Sequence, residues 1–287
     1  MTPMSKNIFT AYNGLKSDLE KITEDYVFEA KQIIKHITGY TNREILERYS
    51  DTLTPVQENK LTAILNQRRI HYPLQYILGK WDFMGLPFKV GPGVLIPRPD
   101  TETLVEKTLE LIKDKKEPKV LDLCCGSGCI AISIAKERPD AKVYAVEKYS
   151  VALKYAKENA ILNDTKNVTF IEGDVLEGVA NSEKYDLILS NPPYLDTEEM
   201  KKLPVEVTYE PETALIGGED GMLFYREIIK NYKGSLNEGG IMAFEIGATS
   251  RQKELPDMME KAGLINVQTA TDIENRERVV FGTVKNI

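Results

Sequence analysis

The residues best placed to do chemistry are Asn191-Pro192-Pro193-Tyr194, directly after the branched run at residues 185–190. Two consecutive prolines stiffen the backbone and remove two N–H donors, so the Pro192 carbonyl and the Asn191 side-chain oxygen can both be acceptors aimed at one point. Converging acceptors suit a planar NH2 group, and the ring of Tyr194 can lie against the plane that bears it. Pro-Pro alone would read as a turn ending a strand. The full tetrapeptide, with the acidic Asp186 shortly before it, favours a binding site.

A second group is Asp122-Leu123-Cys124-Cys125-Gly126-Ser127-Gly128, between a strand-like and a helix-like segment. A glycine-rich turn at the carboxyl end of a strand lets a ligand approach the backbone and presents helix N-terminal amides to its polar groups. A dinucleotide fingerprint would want a third glycine where Ile130 and Ala131 stand, which weakens a nicotinamide reading. Glu147 comes roughly twenty residues after the glycines, where a carboxylate accepts from both ribose hydroxyls of an adenosine. The plainer alternative is a solvated strand-end acid paired with Lys148. Asp174, in Glu172-Gly173-Asp174-Val175, could accept from the exocyclic amine of adenine or be an ordinary surface-turn acid.

Metal and redox chemistry find little support. Cys124, Cys125 and Cys129 lie too close together for a disulfide framework, lack C-x-x-C spacing, and read as small buried hydrophobes. His36 and His71 both precede the glycine-rich segment, which argues against a His-rich metal centre and a Ser-His-Asp hydrolase.

The elements that must position these residues fall into two parts. A chain of 287 residues fits a core of about 200 residues with a smaller partner. Over residues 24–39, Val27, Ala30, Ile33, Ile34 and Ile37 form one helix face that Gly39 stops, and Thr54-Pro55-Val56-Gln57 is a capping box opening a helix striped by Leu61, Ile64 and Leu65. These predict a helical bundle over residues 1–75. Trp81-Asp82-Phe83-Met84-Gly85-Leu86-Pro87-Phe88 suits a hairpin, placed in a linker at residues 76–92. The proline-rich run after it resists regular structure, and Asp100 is expected to cap a helix striped by Leu104, Val105, Thr108, Leu109 and Ile112.

Over residues 93–287, strands at 119–123, 142–146, 168–172, 185–190 and 241–246 alternate with helices at 129–137, 151–162 and 222–230. That alternation predicts a parallel sheet covered on both faces. Strands at 267–271 and 278–284, separated by a polar turn, are expected to pair antiparallel. With 37 basic against 44 acidic residues and a net charge of -7, the balance disfavours bulk nucleic-acid binding. No apolar run approaches the ~20 residues a bilayer requires. Lys6 and Asn7 interrupt any signal-like stretch, so a cytoplasmic address is the default expectation.

Over roughly residues 73–284 the sequence resembles the class I S-adenosylmethionine-dependent methyltransferases, and within them the release factor glutamine methyltransferase (HemK) family. The residues that carry the resemblance include Asn191-Pro192-Pro193-Tyr194, Pro73-Leu74-Gln75-Tyr76-Ile77-Leu78-Gly79, Val94-Leu95-Ile96-Pro97-Arg98-Pro99-Asp100-Thr101-Glu102, Tyr209-Glu210-Pro211, Gly217-Gly218 and Glu245-Ile246-Gly247. The resemblance implies an α/β, Rossmann-like, mostly parallel seven-stranded sheet with an antiparallel last strand, preceded by the helical bundle as substrate-recognition domain. It implies transfer of a methyl group to the side-chain amide nitrogen of the glutamine in the Gly-Gly-Gln loop of peptide-chain release factors, with S-adenosylhomocysteine as by-product and no metal.

It also makes Cys124, Cys125, Gly126, Ser127, Gly128, Glu147, Asp174, Val175 and Asn191 the cofactor-binding residues. Asn191 and Pro192 become catalytic, and Pro193 and Tyr194 join them in binding substrate. Arg98 and Thr101 border the cofactor's amino-acid end or are helix-entry residues. The sequence departs from the family in three places. Cys124 replaces a usual glycine, and a cysteine is expected to make this turn only if its φ is not positive. Glu147 replaces the commoner Asp, and Gln252 comes later after Glu245-Ile246-Gly247 than is usual. Other readings are glutamine methylation of a ribosomal protein, adenine-N6 methylation of DNA with a flipped base, and a non-catalytic adenosine-binding module.

Overall fold

Apolar residues at helical spacing build the first part of the chain. In a computed structural model describing residues 6–178, 183–247 and 251–285, the chain divides into two units: Met1–Gly79 with Val205–Tyr209, and Lys80–Pro204 with Glu210–Ile287. The spacer at residues 248–250, which delays Gln252, lies outside the described residues.

The first unit contains α1 (Ile8–Leu19), α2 (Tyr26–Thr38), α3 (Asn42–Glu47), α4 (Pro55–Arg69) and α5 (Leu74–Leu78). Ala30, Ile33, Ile34 and Ile37 of α2 are buried with Leu15, Leu19, Leu61 and Ile64, whereas Val27 at the edge of the expected stripe is exposed. Each fully buried aliphatic side chain contributes about 1.5–3 kcal/mol. The Thr54 box forms as expected, with Pro55 in the first turn. Within this core Arg68 is fully buried. Its guanidinium donates to both oxygens of Glu29 at 2.8 Å, to the Tyr72 carbonyl at 2.6 Å, and to Glu206 at 3.3 Å.

The second unit opens with the hairpin β1 (Lys80–Phe83) and β2 (Leu86–Lys89). Phe83 and Phe88 anchor it in one of the unit's hydrophobic clusters. Then come α6 (Pro99–Leu111), β3 (Lys119–Leu123), α7 (Cys129–Glu137), β4 (Lys142–Glu147), α8 (Ser150–Leu162), β5 (Val168–Glu172), β6 (Tyr185–Ser190), α9 (Thr197–Met200), α10 (Leu223–Tyr232), β7 (Leu236–Glu245), α11 (Arg251–Lys261), β8 (Leu264–Thr271) and β9 (Glu277–Val284). The seven-stranded sheet has the order β5-β4-β3-β6-β7-β9-β8. Strands β3 to β7 run parallel, while β9 pairs antiparallel with both β7 and β8. Apolar clusters cover both faces, as strands buried on both sides require.

One helix boundary differs from expectation. Pro99 occupies the first turn of α6, where its missing N–H costs nothing, so the N-cap falls on Arg98 and Asp100 sits inside the helix. Asp100 pairs with Arg278 at 2.8 Å instead of capping. No helix among the described residues is long and apolar enough to cross a membrane.

Candidate active site

The sheet reverses its winding between β3 and β6. The chain runs outward through β4 and β5, then returns to β6 on the other side of β3. Ligands of open α/β sheets bind at the carboxyl ends of the strands beside such a switch point. A cavity of about 340 Å³ lies there, lined by residues that come after β3, β4, β5 and β6.

The turn after β3 contributes Cys124, Cys125, Gly126 and Ser127 to the lining. Gly126 has open space where a side chain would project. Gly128 does not line the cavity: its φ is +78° and a Cβ there would lie 3.1 Å from that of Ala156, so it serves the packing of α7 on α8. Contrary to the expectation for a cysteine, Cys124 adopts a φ of 63°. The turn keeps its left-handed backbone without glycine, at a cost of roughly 1–2 kcal/mol. The hydrogen bond from Cys125 N–H to the Val146 carbonyl, 3.0 Å, holds the next residue against β4. Burial pushes the Cys129 thiol up to about 12 and raises those of Cys124 and Cys125, which makes all three poor thiolates. Among the described residues, no group of three or more metal-ligating side chains converges.

Glu147 ends β4 and also lines the cavity. It is 7% exposed and does not pair with Lys148. Its Oε2 accepts from Gly126 N–H at 2.9 Å and its Oε1 from Tyr149 N–H at 2.8 Å, fixing the carboxylate across the mouth of the glycine turn. Each oxygen keeps a second lone pair for a ligand. Burial raises its pKa, against the opposing effect of these backbone donors. Lys148 instead pairs with Asp174 at 2.6 Å. Burial pushes the Asp174 carboxyl up, but Lys148 and the Leu176 N–H outweigh it and hold the group below its ordinary value. Asp174 and Val175 both line the cavity.

Asn191 and Pro193 form the wall beyond β6, whereas Pro192 and Tyr194 are not among the lining residues. Asn191 Nδ2 donates to Thr101 Oγ1 at 3.1 Å. Segment 215–217 clamps the tetrapeptide's far end: Leu195 N–H donates to the Leu215 carbonyl at 2.9 Å and Gly217 N–H to the Leu195 carbonyl at 2.8 Å. The Tyr194 ring lies against Gly247, where any Cβ would collide with it. Burial pushes its phenol up to about 12.

Sequence reasoning left part of the lining unassigned. Val94, Leu95 and Pro97 of the proline-rich run contribute, as do Pro211, Ala214 and Phe224. Glu210 joins these two segments by accepting from Ile96 N–H at 2.9 Å and pairing with Arg98. Arg98 and Thr101 line the cavity. The repeated prolines and the Tyr209-Glu210-Pro211 motif were the available signals.

A sheet of this order with its cavity at the switch point defines a class I methyltransferase. Solved structures agree on the fold. A methyltransferase from Pyrococcus furiosus aligns with a TM-score of 0.53 at 20% identity, covering 80% of this chain and 100% of that one. The catalytic domain of hMettl16, in complex with MAT2A 3'UTR hairpin 6, aligns with a TM-score of 0.58 at 17% identity, covering 77% and 82%. Residues 100–210 match the family model "Methyltransferase small domain" and residues 10–79 the "PrmC N-terminal domain". The release factor glutamine methyltransferase of Thermodesulfovibrio yellowstonii is 38% identical over 88% of this chain and 91% of its own length. That of Clostridium acetobutylicum is 39% identical over 92% and 94%. The chain belongs to the release factor glutamine methyltransferase family and is an S-adenosylmethionine-dependent protein glutamine methyltransferase.

Proposed function

We propose that the chain methylates the side-chain amide nitrogen of the glutamine in the Gly-Gly-Gln loop of peptide-chain release factors. The relatives' names support the substrate, and the observation that carries the chemistry is Asn191 lining the same cavity as the glycine turn and Glu147.

The cavity residues fit S-adenosylmethionine as the methyl donor. At about 340 Å³ the space is within the range of small-molecule sites. Gly126 leaves backbone exposed to a ligand, the Glu147 carboxylate suits ribose hydroxyls, and Asp174 suits the adenine amine. Cys124, Cys125, Ser127 and Val175 complete the wall around them, and Gly128 sets the turn. When bound, the donor supplies an electrophilic methyl group on a sulfonium sulfur.

An amide nitrogen is a poor nucleophile because its lone pair is delocalised into the carbonyl. In this reading Asn191 Oδ1 and the Pro192 carbonyl accept the two N–H groups, orient the nitrogen and stabilise positive charge developing on it as the methyl leaves sulfur; one N–H, made acidic by the new bond, then loses its proton to water. Pro193 and Tyr194 hold that backbone in place. Such positioning is worth ~7–11 kcal/mol when the reacting atoms are kept ~3–3.5 Å apart. The helical first unit recognises the body of the factor, and the site of action is the cytoplasm, where translation occurs.

The test is to incubate the purified protein and labelled donor with a release factor, a ribosomal protein or duplex DNA, with mass spectrometry as the readout. One glutamine of the release factor should gain the mass of a CH2 group. Label confined to the ribosomal protein or the DNA would overturn this substrate assignment.

A further inference from the structure

An asparagine amide is nearly symmetric in shape, so only its hydrogen-bond partners decide whether its oxygen or its nitrogen faces a ligand. The choice matters at Asn191. An oxygen toward an incoming NH2 group accepts from it, whereas a nitrogen there sets donor against donor.

Three elements converge on this side chain. The register pairs Ser190 of β6 with Phe244 of β7, so Asn191 and Glu245 are neighbours at the carboxyl ends of parallel strands. Thr101, in the first turn of α6, stands with them and is 2% exposed. Its Oγ1 accepts from Asn191 Nδ2 at 3.1 Å, and the hydroxyl stands near enough to the Glu245 carboxyl to lower its pKa against the effect of burial. Glu245 is 3% exposed, and its Oε2 has no hydrogen-bond partner. The nearby arginines are engaged elsewhere, Arg98 with Glu210 and Arg278 with Asp100 and Asp272.

We infer that Thr101 and Glu245 are positioning residues that hold the Asn191 amide with its nitrogen inward and its oxygen toward the substrate. A chain of hydrogen-bond polarity sets this orientation. A carboxylate oxygen only accepts, so a Thr101 hydroxyl that turns to Glu245 donates to it. Its lone pair is then the acceptor available to Asn191, which must offer Nδ2 and so turn Oδ1 the other way. Burial raises the Glu245 pKa to about 7. It is the ionised form that fixes the direction of the chain, because both of its oxygens can only accept. A buried carboxyl with one unsatisfied oxygen is a poor stabiliser, which favours an orienting over a stabilising role for Glu245.

This inference rests on the proposed role of Asn191, and its test separates the two. Wild type, Asn191→Ala, Thr101→Val and Thr101→Ser are compared as full-length proteins for kcat and KM on the release factor and for donor affinity by calorimetry. Thr101→Val keeps volume and loses the hydroxyl, while Thr101→Ser keeps the hydroxyl and loses a methyl group. Orientation predicts that the Val variant loses about tenfold or more in kcat, equivalent to one tenfold rate step, with donor affinity little changed. The Ser variant should recover most of the wild-type kcat. A packing role predicts the opposite order, because Val fills the site and Ser leaves a void. A Val variant at least as active as the Ser variant, or a Ser variant as impaired as Val, overturns the inference while leaving the Asn191 assignment standing if Asn191→Ala is inactive. A wild-type enzyme that transfers no methyl group to the factor overturns both.

Discussion

At Asn191 the side-chain oxygen is the group the proposed reaction depends on, and its removal gives the most direct test. Asn191→Ala is expected to bind donor almost as wild type does but to lower single-turnover methylation by about 100-fold or more, the scale of losing one preorganised polar contact to a transition state. Near-normal turnover at saturating substrate would reject that role. A second single-residue prediction concerns Asp122, whose Oδ2 accepts from Ala131 N–H at 3.2 Å at the start of α7 while its Oδ1 is buried without a partner. Burial pushes this carboxyl from 3.8 up to about 8. The folded state therefore holds the proton more tightly than the unfolded chain. The stability this provides is fully present below pH 3.8 and is lost as pH rises through about 8. Asp122→Asn should flatten the fall in stability across that window, as urea titrations at several pH values would show. An unchanged slope would mean that Asp122 ionises in the fold as it does in the open chain.

Among the elements, the turn after β3 and the segment after β6 differ in how far the sequence reveals them. Branched residues at 119–123 and 185–190 announced both strands, and the structure places them at those bounds. The loops beyond these strands depend on contacts distant in sequence. Thr101 meets Asn191 across 90 positions, and Ile96 meets Glu210 across 114, so no local pattern encodes either pairing. The left-handed Cys124 escaped local reasoning for a related reason: intrinsic cost argues against it, but the surrounding turn and β4 over-determine it. Glu147 is legible as a carboxylate at a strand end, and its bond to Tyr149 N–H is local, but its bond to Gly126 emerges only once β4 lies beside β3. The contact between Gly247 and Tyr194 yields a test at this scale. Gly247→Ala should drive a methyl group into the ring and destabilise the second unit by about 1–3 kcal/mol, the usual cost of overpacking. Chemical denaturation would measure it, and an unchanged midpoint would show that the ring yields freely.

For the molecule as a whole, the division into two units assigns residues 205–209 to the helical one although they lie between two stretches of the catalytic one. Arg68 ties this stretch to the helical unit through Glu29 and Glu206. Arg68→Met should cost about 3–5 kcal/mol, because it strands a buried carboxylate. The loss should appear as earlier unfolding of the helical unit, with donor affinity in the second unit retained; wild-type stability would contradict the pairing. The placement of β9 between β7 and β8 has a consequence for biosynthesis. During vectorial synthesis β8 leaves the ribosome before the strand that must separate it from β7, so its place in the sheet stays open until β9 emerges. A nascent chain stalled just after Thr271 should therefore expose the flank of β7 to chaperones, and translation through Val284 should release them.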